Sequence, residues 1–151
     1  MPDIDVNRIL TRADQLCSGA GVRLTEKRKR ILELLVESGA PLSAYEVAEA
    51  YNRSTETSMP AMSVYRILDF LASEQLVHKL ASHNKYIACA HIACDHPHQI
   101  PQFLICRNCK AVKEIGIEKS LVDNLSRQVS KAGYTLLDSP LELDCLCANC
   151  S

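Results

Sequence analysis

The sequence predicts an α+β chain in two small parts, and three observations lead there. Apolar residues recur at helical spacing through the first half of the chain, most clearly at residues 6–20 and 64–71. After Gln75 the period shortens to that of strands, and strand-like runs then alternate with one helix-length segment. Two Cys-x-x-Cys pairs, Cys106 with Cys109 and Cys147 with Cys150, stand on either side of that segment. At 151 residues and 47% hydrophobic, the chain is long enough for two small cores. The second part is too small to be secure on packing alone and needs a staple.

Taken in order, Val6, Ile9, Leu10, Ala13, Leu16 and Cys17 mark the inner face of a first helix that Gly19 and Gly21 stop. Cys17 lies on that apolar face and reads as a core thiol, not a ligand. Thr25 is placed to cap a second helix with Ile31, Leu34 and Leu35 inward, closed by Gly39. Ser43 and Glu46 make a capping box: the hydroxyl accepts from the third amide, and the carboxylate reaches back to the cap amide. It opens a short third helix over Val47, Ala48 and Tyr51, and residues 52–59 read as a loop. Pro60 suits the first turn of a fourth helix. Val64, Ile67, Leu68 and Leu71 form its buried stripe, leaving Ser63, Arg66, Asp69 and Ser73 outward with Tyr65 near the edge.

Residues 76–80 and 85–89 follow as two strands about a polar turn. Helices closed by a β-hairpin have the order of a winged helix, whose last helix enters the major groove of DNA. Small Ser63 allows close approach there, while Tyr65 and Arg66 can reach bases or phosphates. An ordinary amphipathic helix would carry the same stripe. Residues 23–30 hold Arg23, Lys27, Arg28, Lys29 and Arg30 against Glu26 alone. Such a run is either a solvated helix face or a phosphate contact.

The winged helix is thus expected over residues 1–89, a proline-bracketed hinge over 90–102, and a zinc-stapled α/β unit over 103–151. In the last, residues 103–106 and 111–115 read as strands joined by the first cysteine pair. Residues 117–132 read as a helix with Leu121, Val122, Leu125 and Val129 inward. Residues 134–137 and 141–145 read as the closing strands.

Four thiolates in two Cys-x-x-Cys turns satisfy tetrahedral zinc and leave no open position, so Cys106, Cys109, Cys147 and Cys150 are assigned a structural zinc. The N-terminus is acidic without an apolar run, and no stretch approaches the roughly 20 apolar residues of a membrane span. A cytoplasmic protein is expected, where disulfides would be reduced. All five histidines fall between positions 78 and 98. His78, Cys89, His98 and Glu114 can form a second site tying the two parts together, and one thiolate among harder ligands suits zinc. His83 reads as an exposed turn residue. His91, Cys94 and His96 are spares, a weaker extra site, or alternatives to His98. An enzyme is not expected: a zinc deaminase needs His-x-Glu before Pro-Cys-x-x-Cys, and the chain has neither element.

Several stretches together resemble the ferric uptake regulator family, and its zinc branch most. They are Val22-Arg-Leu-Thr25 with Arg28, Ser43-Ala-Tyr45, Val64-Tyr-Arg66 with Leu68-Asp-Phe-Leu71, and Val77-His-Lys79. Phe103-Leu-Ile-Cys106 with Cys109, Val112-Lys-Glu114, and Cys147 with Cys150 continue the match over nearly the whole chain. The resemblance implies an N-terminal DNA-binding domain and a C-terminal unit that forms a homodimer. It implies two zinc ions per monomer, one on the four cysteines and one on His78, Cys89, a hinge histidine and Glu114. DNA contacts are implied at Tyr45, Tyr65 and Arg66; Arg23, Arg28 and Ser63 complete the expected DNA-binding set. The function implied is repression of zinc-uptake genes from palindromic operators on double-stranded DNA when zinc is plentiful. The alternative is a regulator of the same fold answering iron, manganese or peroxide. Two departures stand out. His98 lies one residue further from Cys106 than the zinc branch implies, which leaves His96 and His98 as alternatives. Cys145 is additional, and strand alternation would put it on the same face as Cys147 as a competing ligand.

Overall fold

Local sequence signals set the helix ends in the first of two units. The computed structural model describes residues 5–90, 92, 101–137 and 141–151, and the chain divides into Met1–Asp95 and His96–Ser151. The first unit carries α1 (Val6–Gly19), α2 (Glu26–Ser38), α3 (Ala44–Ser54), α4 (Ala61–Ser73), β1 (Val77–Leu80) and β2 (Lys85–Ala88). Asp5 and Thr25 accept from the amides of Arg8 and Arg28 at 3.1 and 3.4 Å, capping α1 and α2. Gly39 ends α2 at φ 63°, a left-handed conformation glycine adopts without steric cost.

The Ser43 capping box is complete. The Glu46 amide donates to the Ser43 hydroxyl at 3.1 Å, and the Ser43 amide donates to the Glu46 carboxylate at 3.0 Å. Those bonds hold the Glu46 carboxyl below its ordinary range, with Lys85 at 3.4 Å adding to the effect. Because the folded-state pKa is depressed, this contribution is full above the ordinary carboxylate range and is lost as pH falls through the lowered value. Ser43→Ala is expected to cost about 1 kcal/mol, read as a lower denaturant midpoint at unchanged slope.

Two boundaries differ from the sequence reading. Residues 52–54, expected as loop, continue α3, because the Ser54 and Thr55 hydroxyls donate to the Tyr51 carbonyl at 3.0 and 3.1 Å and complete its last turn. Pro60 stands at the cap of α4, not inside its first turn: its ψ of 153° is extended, and helical geometry begins at Ala61.

Val64, Leu68 and Leu71 of α4 are fully buried against Ile31, Leu32 and Leu35 of α2 and the small residues of α1, Cys17 among them. On α2 the buried set is wider than one stripe: Leu32 and Val36 are buried, and Leu34 is only half-buried. The reason is packing on several sides, since α2 touches α1, α3, α4 and β2. The hairpin pairs Val77 with Ala88 through Leu80 with Lys85. Leu42 exchanges both backbone hydrogen bonds with Tyr86, at 2.9 and 2.7 Å, so the segment before α3 is bridged to the edge of the wing at one residue.

The second unit is a three-stranded sheet with one helix. β3 (Pro101–Cys106) is central, with β4 (Val112–Gly116) antiparallel on one side and β5 (Leu141–Cys145) parallel on the other. A parallel neighbour needs a crossover, which α5 (Lys119–Lys131) supplies. Phe103 and Ile105 alternate onto one face of β3 and are buried.

Three expectations fail here. The helix spans 119–131, not 117–132. Residues 134–137 are not a strand, and no described strand pairs with them. The face of Leu121, Val122, Leu125 and Val129 is not inside: α5 has no buried residue, and Leu121 is 59% exposed. The helix packs closely against none of the described strands, which leaves its apolar face uncovered, and Tyr134, Leu137, Leu143 and Leu146 are exposed as well. Among the described residues, no helix is long and apolar enough to cross a membrane.

Candidate metal centres and nucleic-acid interface

The sheet register builds the cysteine centre. Cys106 ends the central strand opposite Cys145, the last residue of β5, so the turns after β3 and β5 leave from adjacent strand ends. Lys110, at φ 64°, closes the first turn with its amide 3.0 Å from the Cys106 carbonyl. The Cys150 amide closes the second at 2.9 Å from the Cys147 carbonyl. The four sulfurs of Cys106, Cys109, Cys147 and Cys150 lie within 4.8 Å of one another. The sulfurs of Cys109 and Cys147 are 3.7 Å apart. Zinc–sulfur bonds of about 2.3 Å at tetrahedral angles require about 3.8 Å between sulfurs. The donor set therefore fits zinc in chemistry and in size.

Backbone amides prepare one sulfur to be a thiolate. Hydrogen bonds from the backbone of Cys109 and then Cys147, the latter at 3.4 Å, lower the Cys106 thiol to about 6. Cys150 moves the other way. The Asn108 side chain favours its thiolate, but the hydrogen bond with Cys147, then desolvation, then hydrogen bonds with Cys106 and Cys109 push it up to about 11. Four clustered thiols release their first proton readily and their last reluctantly, so a bound divalent cation is what holds all four as thiolates. Cys145 is half-buried and is not one of the four clustered sulfurs. β5 ends at Cys145, so strand alternation does not carry through to Cys147, although both line one hollow with Cys106.

In the first unit, His78 lies on β1 opposite Ile87, which makes Cys89 its diagonal neighbour on the same face of the hairpin. A ring nitrogen of His78 and the Cys89 sulfur accordingly lie within 4.8 Å of each other. Cys89 is buried and His78 half-buried. In the second unit, Glu114 is half-buried on β4 opposite Phe103. His98, with His91, Cys94 and His96, lies outside the described residues.

The outer face of α4 carries the expected DNA-binding side chains. Arg66 is exposed, Ser63 and Tyr65 are half-buried, and Tyr45 projects from α3 with 69% of its surface free. The Tyr45 and Tyr65 rings meet edge to face, 6.3 Å between centroids at 89°, which fixes both tips on one surface. Arg23 is exposed, whereas Arg28 is committed internally. Its guanidinium lies 3.8 Å over the Phe70 ring and donates to the Arg23 carbonyl at 2.8 Å, joining α2 to α4. Met62, 66% exposed one turn before Arg66, was missed by the sequence reading. Its i−4 spacing from Arg66 was the available signal. An apolar side chain there suits contact with thymine methyl groups.

Residues 19–144 match the ferric uptake regulator family. The chain belongs to that family. Within it, the chain is 33% identical over 150 residues to the zinc uptake regulation protein of Escherichia coli (strain K12), covering 99% of this chain and 85% of that protein. It is similar in structure to a zinc uptake regulator complexed with zinc and DNA, with a TM-score of 0.82, 30% identity and coverage of 97% and 95% of the two chains. The holo form of XcZur gives a TM-score of 0.76, 32% identity and coverage of 95% and 96%.

Proposed function

We infer that this chain is a zinc-responsive transcriptional repressor, binding palindromic operators of zinc-uptake genes as a homodimer when its regulatory zinc is bound. The observation that carries the reading is the likeness, over 97% of the chain, to a zinc uptake regulator solved with zinc and DNA. The four-cysteine centre holds a structural zinc. His78 and Cys89, with Glu114 and a hinge histidine, His98 or His96, hold a second, giving two ions per monomer. The exposed apolar face of the second unit, Leu121 and Leu143 included, is what a second copy covers. The protein works in the cytoplasm, with Tyr45, Tyr65 and Arg66 on the DNA.

The mechanism is a population shift. His78 and Cys89 belong to the wing and Glu114 to the second unit, so the ligands converge in only some arrangements of the chain. These side chains would hold the zinc ion, whose bonds to all of them would favour those arrangements. Moving such an equilibrium from mostly open to mostly closed takes about 5.5 kcal/mol, less than the roughly 10–16 kcal/mol apparent affinities of structural zinc sites. Two α4 helices then enter major grooves about one helical turn apart.

The test is operator binding against free zinc, with zinc per monomer measured on the same samples and iron(II) and manganese titrated in parallel. DNA binding should appear only with the second zinc. Equal binding with one zinc per chain, or equal response to iron(II), would count against it. Arg66→Ala should lower operator affinity by about 1–3 kcal/mol and leave zinc content unchanged.

A further inference from the structure

Beside the outer face of α4 lies a surface hollow of about 280 Å³. Its walls come from four places in the first unit: Lys27 in the first turn of α2, Tyr51 on α3, Thr57 and Ser58 in the loop before α4, and Ser63 and Arg66 on α4 itself. The hollow is built, not incidental. The Asn52 side chain accepts from the Met59 amide at 2.7 Å and donates to the Met59 carbonyl at 3.3 Å. Met59 is buried, so this two-way clamp fixes the loop that presents Ser58.

The charges point to an anion. Several cations of these helices and the wing are already engaged. Arg28 stacks on Phe70, Arg30 pairs with Glu33 at 2.7 Å, Arg53 pairs with Glu49, and Lys85 pairs with Glu46. Among the described residues, Lys27 and Arg66 make no ion pair and no hydrogen bond. Two uncommitted cations and the hydroxyl-bearing Ser58 and Ser63, with Thr57 and Tyr51 beside them, thus line one concave space, the donor chemistry that binds a phosphodiester.

We propose that this hollow seats one phosphate of the DNA backbone, with Lys27 as its charge and Ser58 and Ser63 as its hydrogen-bond donors. The proposal rests on the DNA-binding reading above and deepens it. Arg66, at the rim, is left to read bases, while Lys27 fixes the register of α4 in the groove without sensing sequence. The two residues therefore separate by function: Lys27 supplies affinity, and Arg66 supplies discrimination.

The experiment is the salt dependence of DNA binding by the full-length zinc-loaded protein, on operator and on scrambled duplex. Losing one phosphate contact per protomer should flatten the slope of log affinity against log salt by about 0.9 per protomer. For Lys27→Ala this flattening is expected on both duplexes, with the operator-to-scrambled ratio preserved. Lys27→Arg should keep most of the slope. A methylphosphonate walked through the operator should find a position that weakens the wild type and leaves Lys27→Ala indifferent. An unchanged slope in Lys27→Ala overturns the seat alone, as does a loss confined to the operator sequence. A wild type that holds two zinc ions and binds neither duplex overturns the DNA-binding reading, and the seat with it. Inorganic phosphate at constant ionic strength is the remaining arm. Lys27-dependent phosphate binding without any methylphosphonate-sensitive position identifies a free-anion site and overturns the assignment to DNA.

Discussion

Cys106→Ser is expected to remove one zinc per chain and to unfold the second unit while the first stays folded. Serine does not ionise at neutral pH, so the centre loses a bond to the metal and the site that the Cys147 amide approaches at 3.4 Å. Little else holds this unit. Among the described residues, its buried ones are Phe103, Ile105, Cys106 and Ile117, and its helix buries none. A structural zinc contributes roughly 10–16 kcal/mol of apparent binding energy, against the 5–15 kcal/mol by which an ordinary domain is stable. Without it the balance goes to the unfolded chain. Zinc analysis and amide hydrogen exchange would read this directly: protection in β3 should vanish, while protection in α2 and α4, anchored by Ile31, Leu35 and Leu68, should persist. A Cys106→Ser protein with full zinc and protected β3 amides would mean that packing, not metal, holds the sheet. The same loss should abolish dimerisation and with it operator binding.

How far the fold could be read ahead of the structure depended on the range of the interaction. The capping box at Ser43 and Glu46, the cap at Thr25 and the paired cysteine turns are decided within a few residues, and each is present. The stripe of α4 was legible because one helical face meets one core, with Ile67 alone of the four left half-buried at its edge. The inner face of α2 was misjudged because packing against four elements buries Leu32 and Val36 as well, and a single period cannot signal that. Apolar period also misled at α5: it says that a face must be covered, not that the same chain covers it. The parallel pairing of β5 with β3 depends on contacts far apart in sequence, so the apolar run at 134–137 looked as strand-like as the true strand at 141–145. At the candidate site, the sequence offers residue types but not their surroundings. Arg28 was assigned to DNA from its charge, and only the Phe70 ring 3.8 Å beneath its guanidinium reveals an internal tie.

Cys89→Ser should separate sensing from folding. Serine matches the cysteine in shape, and the substitution buries a hydroxyl where a thiol was, at a cost of about 1–3 kcal/mol by the scale of buried polar groups. The first unit keeps its three helix caps and its core, so it should stay folded with a modestly lower midpoint. Zinc per monomer should fall from two to one, because His78 loses its soft partner on the hairpin face while the four cysteines are untouched. Operator affinity at zinc levels that saturate the wild type should fall at least a hundredfold, within the roughly 10⁴-fold range of a full switch between states. Cys17→Ser is the matching control. Cys17 is fully buried in the helical core, where burial, then the nearby Glu74 and Asp14, raise its thiol pKa. It should cost similar stability yet leave both zinc ions and DNA binding in place. If the Cys17 and Cys89 variants behave alike, with two zinc ions and equal operator affinity, Cys89 is a core thiol too, and the switch must be sought elsewhere in the chain.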